Sequence, residues 1–318
     1  MSRLLPTCLA APALVLAVVA AKAQQASSSA TTTPTRPAFE HGKGPVIAID
    51  EAHRNTHTFG SPSFRGLVQL LQADGYQVRQ FADAISATSL ASINVLVLSG
   101  PGGWLGPDES LTGTEVAALI QWIQGGGVLL LILDHMPAPR NAARLTAALG
   151  INSWHNGYAV VETPDSLVGP IIFWRADFFP PDAPAIGPTG PGGGKGYQGR
   201  DAVLAKHAIT EGRTPEERVQ RVATFEGSAF QPPTGAEALL TMPRRAVSLM
   251  PVETPERLPV ITAQTPRAPV GGWLQGAVMN LGQGRVALFA ETGLFSGGPA
   301  ADNRKFILNL MHWLSHLL

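Results

Sequence analysis

From Pro45 onward, short apolar runs alternate with stretches whose apolar positions recur at helical spacing. Val46 to Ile49, Val95 to Ser99 and Val128 to Leu133 have the length and composition of buried strands, and Tyr76 to Phe81 adds a shorter mixed one. Between them, Ser61-Pro62 opens a predicted helix with Phe64, Leu67, Val68 and Leu71 on one face and Gly75 as its stop. Thr112 and Glu115 have capping-box spacing ahead of Val116, Leu119, Ile120 and Ile123, and Gly125-Gly126-Gly127 ends that helix. Arg140 to Leu149 reads as another helix, with Leu145, Ala148 and Leu149 apolar and Gly150 after it. Strands alternating with helices predict parallel pairing, right-handed crossovers and a sheet covered on both faces.

Between about Ile151 and Gly276 this regularity dissolves into short strand-like pieces among prolines and glycines, including the run Gly187 to Gly194. A segment of this length in a compact domain is a functional covering or a disordered excursion, and the sequence does not choose between them. Gly276 to Asn280 and Arg285 to Ala290, joined through Gly282-Gln283-Gly284, predict a hairpin returning to the sheet. Asp302 is the expected cap of a last helix that turns Phe306, Ile307, Leu310, Met311, Leu314 and Leu317 to the core. The expected fold is therefore α/β, a doubly wound and mostly parallel sheet, in a single domain over residues 44–318 with a Pro/Gly-rich insert at about 151–275.

The first residues have a different character. Arg3, the apolar run Leu9 to Ala21 and the small-residue pattern Ala21-Lys22-Ala23 predict a secretory signal peptide over residues 1–23. The run is short and broken by Pro6 and Pro12, which disfavours a membrane anchor, and Cys8 precedes it, which disfavours a lipoprotein. The expected location is periplasmic or secreted, with no membrane span after cleavage. Residues 24–43, rich in Ser, Thr, Ala and Pro, are expected to be a disordered tether. Cys8 is the only cysteine, so a chain cleaved after Ala23 has no disulfide, thiolate ligand or thiol nucleophile. Of 23 basic residues Arg3 and Lys22 leave with the signal, giving 21 against 23 acidic ones and a net charge of −2; no basic stripe suggests nucleic acid.

Candidate chemistry collects at the ends of the predicted strands. Val46 to Ile49 runs into Asp50, Glu51, His53 and His57; Val128 to Leu133 into Asp134 and His135; Val286 to Ala290 into Glu291. Ligands of parallel α/β sheets bind in the crevice outside the strands' carboxyl ends, where neighbours about 4.8 Å apart can converge. Glu51, His53, Asp134, His135 and Glu291 are the candidate catalytic residues, and Glu51, His53 and His135 offer oxygen and imidazole donors suited to a divalent transition metal. The plainer alternative is that Asp50 and Asp134 accept backbone hydrogen bonds where strands become loops and that the histidines are packing residues.

Other motifs weigh less. Gly100-Pro101-Gly102-Gly103 could present amides to an anion, but it lacks the spacing of a phosphate loop and reads better as a tight turn. His312 and His316 share a helix face, yet Trp313 stands where a metalloprotease helix has its glutamate, and solvent-facing histidines are expected. Ser99, Ser153 and Ser228 invite a serine-hydrolase reading that finds no Gly-x-Ser-x-Gly elbow.

The run Ala48-Ile49-Asp50-Glu51-Ala52-His53-Arg54-Asn55, the segment from Gly125-Gly126-Gly127 to Asp134-His135-Met136-Pro137, and the ending from Gly284-Arg285-Val286 through Glu291, Phe295, Asn303 and His312-Trp313-Leu314 resemble uncharacterised secreted bacterial proteins of the class I glutamine amidotransferase-like superfamily. His207-Ala208-Ile209-Thr210-Glu211-Gly212 carries the resemblance more weakly, and the glycine-led strand ending in histidine is similar to the trehalose-utilisation branch. The resemblance implies a flavodoxin-like, glutamine amidotransferase-like sheet. At the position of that superfamily's catalytic cysteine this chain has Asp134-His135-Met136, so thiol-dependent glutamine hydrolysis is not expected. Two functions remain open. One is a hydrolase, metal-assisted or acid–base, in which His135 or Glu51 handles a proton and Asp134 orients the histidine. The other is a non-catalytic domain for a glycan or small polar molecule, with Trp104, Trp154, Trp174 and Trp273 stacking on sugar rings or simply anchoring the insert. Nothing in the sequence sets the oligomeric state.

Overall fold

The structure, a computed structural model, describes residues 34, 36–103, 110–189, 194–252, 260–296 and 300–318. The stretch expected to be a signal peptide, most of the expected tether, Trp104 and part of the Gly187–Gly194 run lie outside them.

The first half builds β1 (Val46–Asp50), α1 (Arg65–Ala73), β2 (Gln77–Phe81), α2 (Ala87–Leu90), β3 (Val95–Ser99), α3 (Gly113–Gln124), β4 (Val128–Ile132), α4 (Ala138–Asn141) and α5 (Ala143–Ala148). The stretch expected to be one helix from Arg140 to Leu149 is thus two, parted at Ala142. The segment that follows is rich in strands: β5 (Tyr158–Glu162), β6 (Leu167–Val168), β7 (Ile171–Trp174), β8 (Ile186–Pro188), β9 (Lys195–Tyr197), β10 (Val203–Leu204), helix α6 (Ala208–Glu211), β11 (Arg221–Thr224), β12 (Glu237–Thr241), β13 (Ala246–Leu249) and β14 (Arg267–Pro269). The predicted hairpin is β15 (Leu274–Leu281) with β16 (Gly284–Phe289), and α7 (Asn303–Leu314) closes the chain.

Among the described residues twelve strands form one mixed sheet in the order β2-β1-β3-β4-β16-β15-β12-β10-β7-β9-β8, with β11 paired to β7. Its first five strands are all parallel. The antiparallel β15 then hands the sheet on to strands from the middle of the chain. A second sheet, β14-β13-β5-β6, is antiparallel.

Alternate residues of a strand face opposite sides of a sheet. Ile47, Ile49, Val95, Val97, Leu130 and Ile132 accordingly pack with α1 and α7 through Leu67, Leu71, Phe306 and Leu310. Their neighbours Ala48, Leu96, Leu98, Leu129 and Leu131 pack on the other face with Leu119, Ile123 and Leu145 of α3 and α5. Burial on both faces is why these strands read as continuous apolar runs.

Two expectations about polar residues are corrected. Asp302 does not cap α7 with its side chain; its Oδ2 accepts from the Gln220 and Arg221 amides at 2.9 and 3.3 Å and so fixes the start of β11. His312 is not at the solvent: it is 1% exposed, and its Nε2 lies 2.7 Å from Oδ2 of the fully buried Asp74. The ordered fold also begins earlier than Gly44. Ala38 donates to Asp74 Oδ1 at 2.9 Å, Phe39 N to Asp74 O at 3.1 Å, and the Phe39 ring meets Tyr76 edge-on.

Candidate functional site

The ends of β1, β3, β4 and β16 carry two distinct polar groups. The first is a closed knot. Asp50, fully buried at the end of β1, holds His53 Nδ1 at 2.9 and 3.0 Å and the Asn55 side-chain amide, while Asn55 Oδ1 accepts from Ser99 N at 2.9 Å. The other ring nitrogen of His53, Nε2, lies 2.9 Å from Glu115 Oε1. Glu115 is also the capping-box acid of α3, accepting from Thr112 N at 2.9 Å. Burial works against a charge on His53, but the hydrogen bonds and charges of Asp50 and Glu115 outweigh it and raise its pKa to about 9. Glu115 is likewise held at about 2: partial burial opposes ionisation, and His53 and the Thr112 donors overcome it. His53 is therefore an imidazolium with both nitrogens engaged, joining β1 to α3.

The second group is the candidate site. Asp134 and His135 follow β4, and Glu291 follows β16; pairing of Ile132 with Phe289 makes these ends neighbours. Asp134 Oδ1 accepts from the His135 amide at 2.9 Å. The His135 ring stacks on Tyr158 with centroids 4.2 Å apart, and Nδ1 lies 2.8 Å from the Met136 carbonyl. A carbonyl only accepts, so Nδ1 carries the proton and the lone pair of the neutral ring is on Nε2. That nitrogen is 3.9 Å from Glu226 Oε2.

Glu226 was invisible in the sequence because it comes from the middle segment, beyond β11. Ser228 donates its amide to Ala290 O and its hydroxyl to Asp134 O, both at 2.8 Å, and Ala159 N donates to Gly227 O at 2.8 Å. These bonds lay the Glu226–Ser228 turn across the ends of β4 and β16. Gly227 has φ 113°, and a Cβ there would run into the Ala290 carbonyl and the Glu291 side chain, so the turn requires glycine. Only the Gly227 dipeptide in an otherwise apolar stretch hinted at it.

Two carboxyls of this group, Glu291 and Glu226, are pushed up. Glu291 is 2% exposed, and burial together with the Asp134 charge raises it to about 8, against the pull of the Leu294, Gly293 and Phe225 amides. Loss of solvent also raises Glu226, with His135 pulling it down and Asp134 adding to the rise; its side chain is 55% exposed, so solvent screens much of this. His57 belongs here too. Burial lowers its pKa, the Asp134 charge opposes that, and the His135 charge adds to it. Neighbouring groups displaced in opposite directions are the usual setting of proton transfer.

Of the expected residues, then, Asp134, His135 and Glu291 follow the ends of the paired strands β4 and β16, and His53 lies in the structural knot at the end of β1. Glu51 is half-buried, with Oε1 3.4 Å from Gly60 N. Among the described residues no three His, Cys, Asp or Glu side chains are grouped to hold a metal ion, so Glu51, His53 and His135 do not form such a set. The Gly100–Gly103 segment is a turn, its Gly100 and Gly102 amides donating to Ile132 O and His53 O. Trp154 stacks on Phe230 and donates to Ser228 Oγ, Trp174 lies under Arg221, and Trp273 packs against His155, which places all three in internal contacts.

No protein-family model matches the sequence, and no curated protein matches it. Solved structures do. The chain is similar to the mmIFT52 N-terminal domain, with TM-score 0.55, 14% identity and cover of 85% of this chain and 96% of that one. It is also similar to thua-like proteins from Bacteroides uniformis (TM-score 0.43, 12% identity, 87% and 94% covered) and Parabacteroides merdae (0.40, 11%, 86% and 90%). At 14% identity the likeness to the mmIFT52 N-terminal domain shows a shared fold alone, and function has to be argued from the site.

Proposed function

We propose that this protein is a hydrolase of a small polar or glycan substrate, secreted or periplasmic, that works by acid–base chemistry at the carboxyl ends of its parallel strands. The strand order β2-β1-β3-β4-β16, with helices on both faces, supports a flavodoxin-like, glutamine amidotransferase-like sheet whose ligand crevice lies where the order reverses, beside β1 and β3. Secretion is supported by Arg3, the apolar run Leu9 to Ala21 and Ala21-Lys22-Ala23.

The observation that carries the catalytic reading is the His135–Glu226 pair. The Met136 carbonyl fixes the tautomer, Tyr158 stacks on the ring, and Nε2 lies 3.9 Å from a Glu226 carboxyl oxygen. In this arrangement His135 Nε2 takes the proton of an attacking water, and the Glu226 carboxyl 3.9 Å away faces the imidazolium that forms. Glu291, buried and accepting from the Gly293 and Leu294 amides at 2.6 and 2.8 Å, holds the turn after β16 behind this pair.

The test is turnover by the full chain on a panel of p-nitrophenyl esters, anilides and glycosides. Hydrolysis of one class that falls about 100-fold or more in both His135→Ala and Glu226→Gln, with unchanged circular dichroism, is expected. Turnover unaffected by either change overturns the assignment.

A further inference from the structure

We propose that Ser63 is a nucleophile of this crevice, with His57 as the base that takes its proton, and that its substrates are carboxylic esters. The proposal rests on the hydrolase reading of the same crevice and names the group that attacks.

Ser63 Oγ lies 2.7 Å from His57 Nδ1, within the range of a nucleophile and its base. Both side chains are half-buried, so neither is sealed in the core. Each is held in place. The His57 ring stacks on Phe64 with centroids 5.5 Å apart, and its amide donates to Ser99 O at 3.4 Å, tying the loop to the end of β3. The Ser61 hydroxyl donates to Thr58 O at 2.9 Å, and its oxygen lies 3.0 Å from Ser63 Oγ. His57 also feels the charges of Asp134 and His135, which places the pair beside the acid–base group. Burial lowers its pKa and so favours the neutral imidazole; in the tautomer with the proton on Nε2, Nδ1 accepts from Ser63 Oγ, and the nearby Asp134 charge favours the imidazolium that forms during attack. The segment Ser61-Pro62-Ser63-Phe64 has none of the nucleophile-elbow pattern, so the sequence offered no signal for it.

In the reaction, Ser63 Oγ bonds to the ester carbonyl carbon as its proton passes to His57 Nδ1. The adduct collapses, the bond to the leaving oxygen breaks, and His57 returns the proton to that oxygen, releasing the alcohol. Water then attacks the acyl-Ser63 carbonyl as its proton passes to His135 Nε2, the bond to Ser63 Oγ breaks, and the proton returns to Ser63 Oγ as the acid departs. Ester and water become acid and alcohol, with no other reactant.

The full chain treated with diisopropyl fluorophosphate should gain one adduct by intact mass, mapped to Ser63 and absent from Ser63→Ala and His57→Gln. A second variant guards against a misfolded first: Ser63→Cys should react with iodoacetamide about tenfold faster than the same cysteine combined with His57→Gln. Labelling of Ser63 that depends on His57 supports the proposal whichever esters are turned over. An adduct on another residue, no adduct on the folded chain, or equal alkylation rates overturn it. Ester turnover that survives in Ser63→Ala but is lost in His135→Ala overturns the nucleophile alone and leaves the hydrolase reading standing.

Discussion

His53 carries its charge between Asp50 and Glu115, at 2.9 Å from each, and this sets a pH dependence on stability. Its pKa rises from 6.5 to about 9 on folding, so the folded state binds the proton more tightly than the unfolded chain. The stabilisation is complete below pH 6.5 and is lost as the pH climbs toward 9. Glu115 acts in the opposite sense: its pKa falls from 4.5 to about 2, and its contribution is lost as the pH drops through that range. The pair is one interaction and is counted once, at about 3 kcal/mol as an upper bound. Urea unfolding of His53→Gln beside the parent chain should show the largest difference between about pH 4.5 and 6.5, shrinking toward pH 9. A difference that is flat across that range would mean His53 is not a charged clamp.

The turn from Glu226 to Ser228 is the element on which the site depends. Gly227→Ala places a side chain at φ 113° and against the Ala290 carbonyl, which should cost about 1–3 kcal/mol and lift Glu226 away from His135. Thermal melting reads the first effect, and ester turnover reads the second; a variant with parental stability and activity would show that the turn tolerates the methyl. The same turn explains how much the sequence revealed. Val46 to Ile49, Val95 to Ser99 and Val128 to Leu133 were legible because burial on both faces leaves an unbroken apolar run; the last of them led to Asp134 and His135, and the hairpin strand Val286 to Ala290 led to Glu291. Glu226 was not legible, because it reaches the crevice through hydrogen bonds to Ala290, Asp134 and Ala159, none near it in sequence. The pieces from Ile151 onward were equally obscure. β10 has only two residues, and β7 and β9 are short; they hold as strands because partners from distant segments complete their hydrogen bonding. His53 was placed correctly at a strand end, but its role depended on Glu115, 62 residues away.

At the scale of the whole molecule, Asp74 joins parts that are far apart in the chain. It caps α1 at its carboxyl end, takes the Ala38 amide 36 residues before it and meets His312 on α7, 238 residues after it. Asp74 and His312 are both essentially without solvent, so removing one leaves the other's polar atoms buried and unpaired. Asp74→Ala should lower the unfolding free energy by about 2–4 kcal/mol, since it strands both the imidazole Nε2 and the Ala38 amide. His312→Phe removes the buried imidazole itself, including an Nδ1 that has no partner within the protein, at similar volume. The double variant Asp74→Ala/His312→Phe should therefore be less destabilised than the sum of the two singles, by about 1 kcal/mol or more. Urea unfolding of the three variants decides it. Additive losses would mean that Asp74 acts through Ala38 and the end of α1 alone, whereas the expected coupling would make this buried pair the link by which the last helix secures the start of the fold.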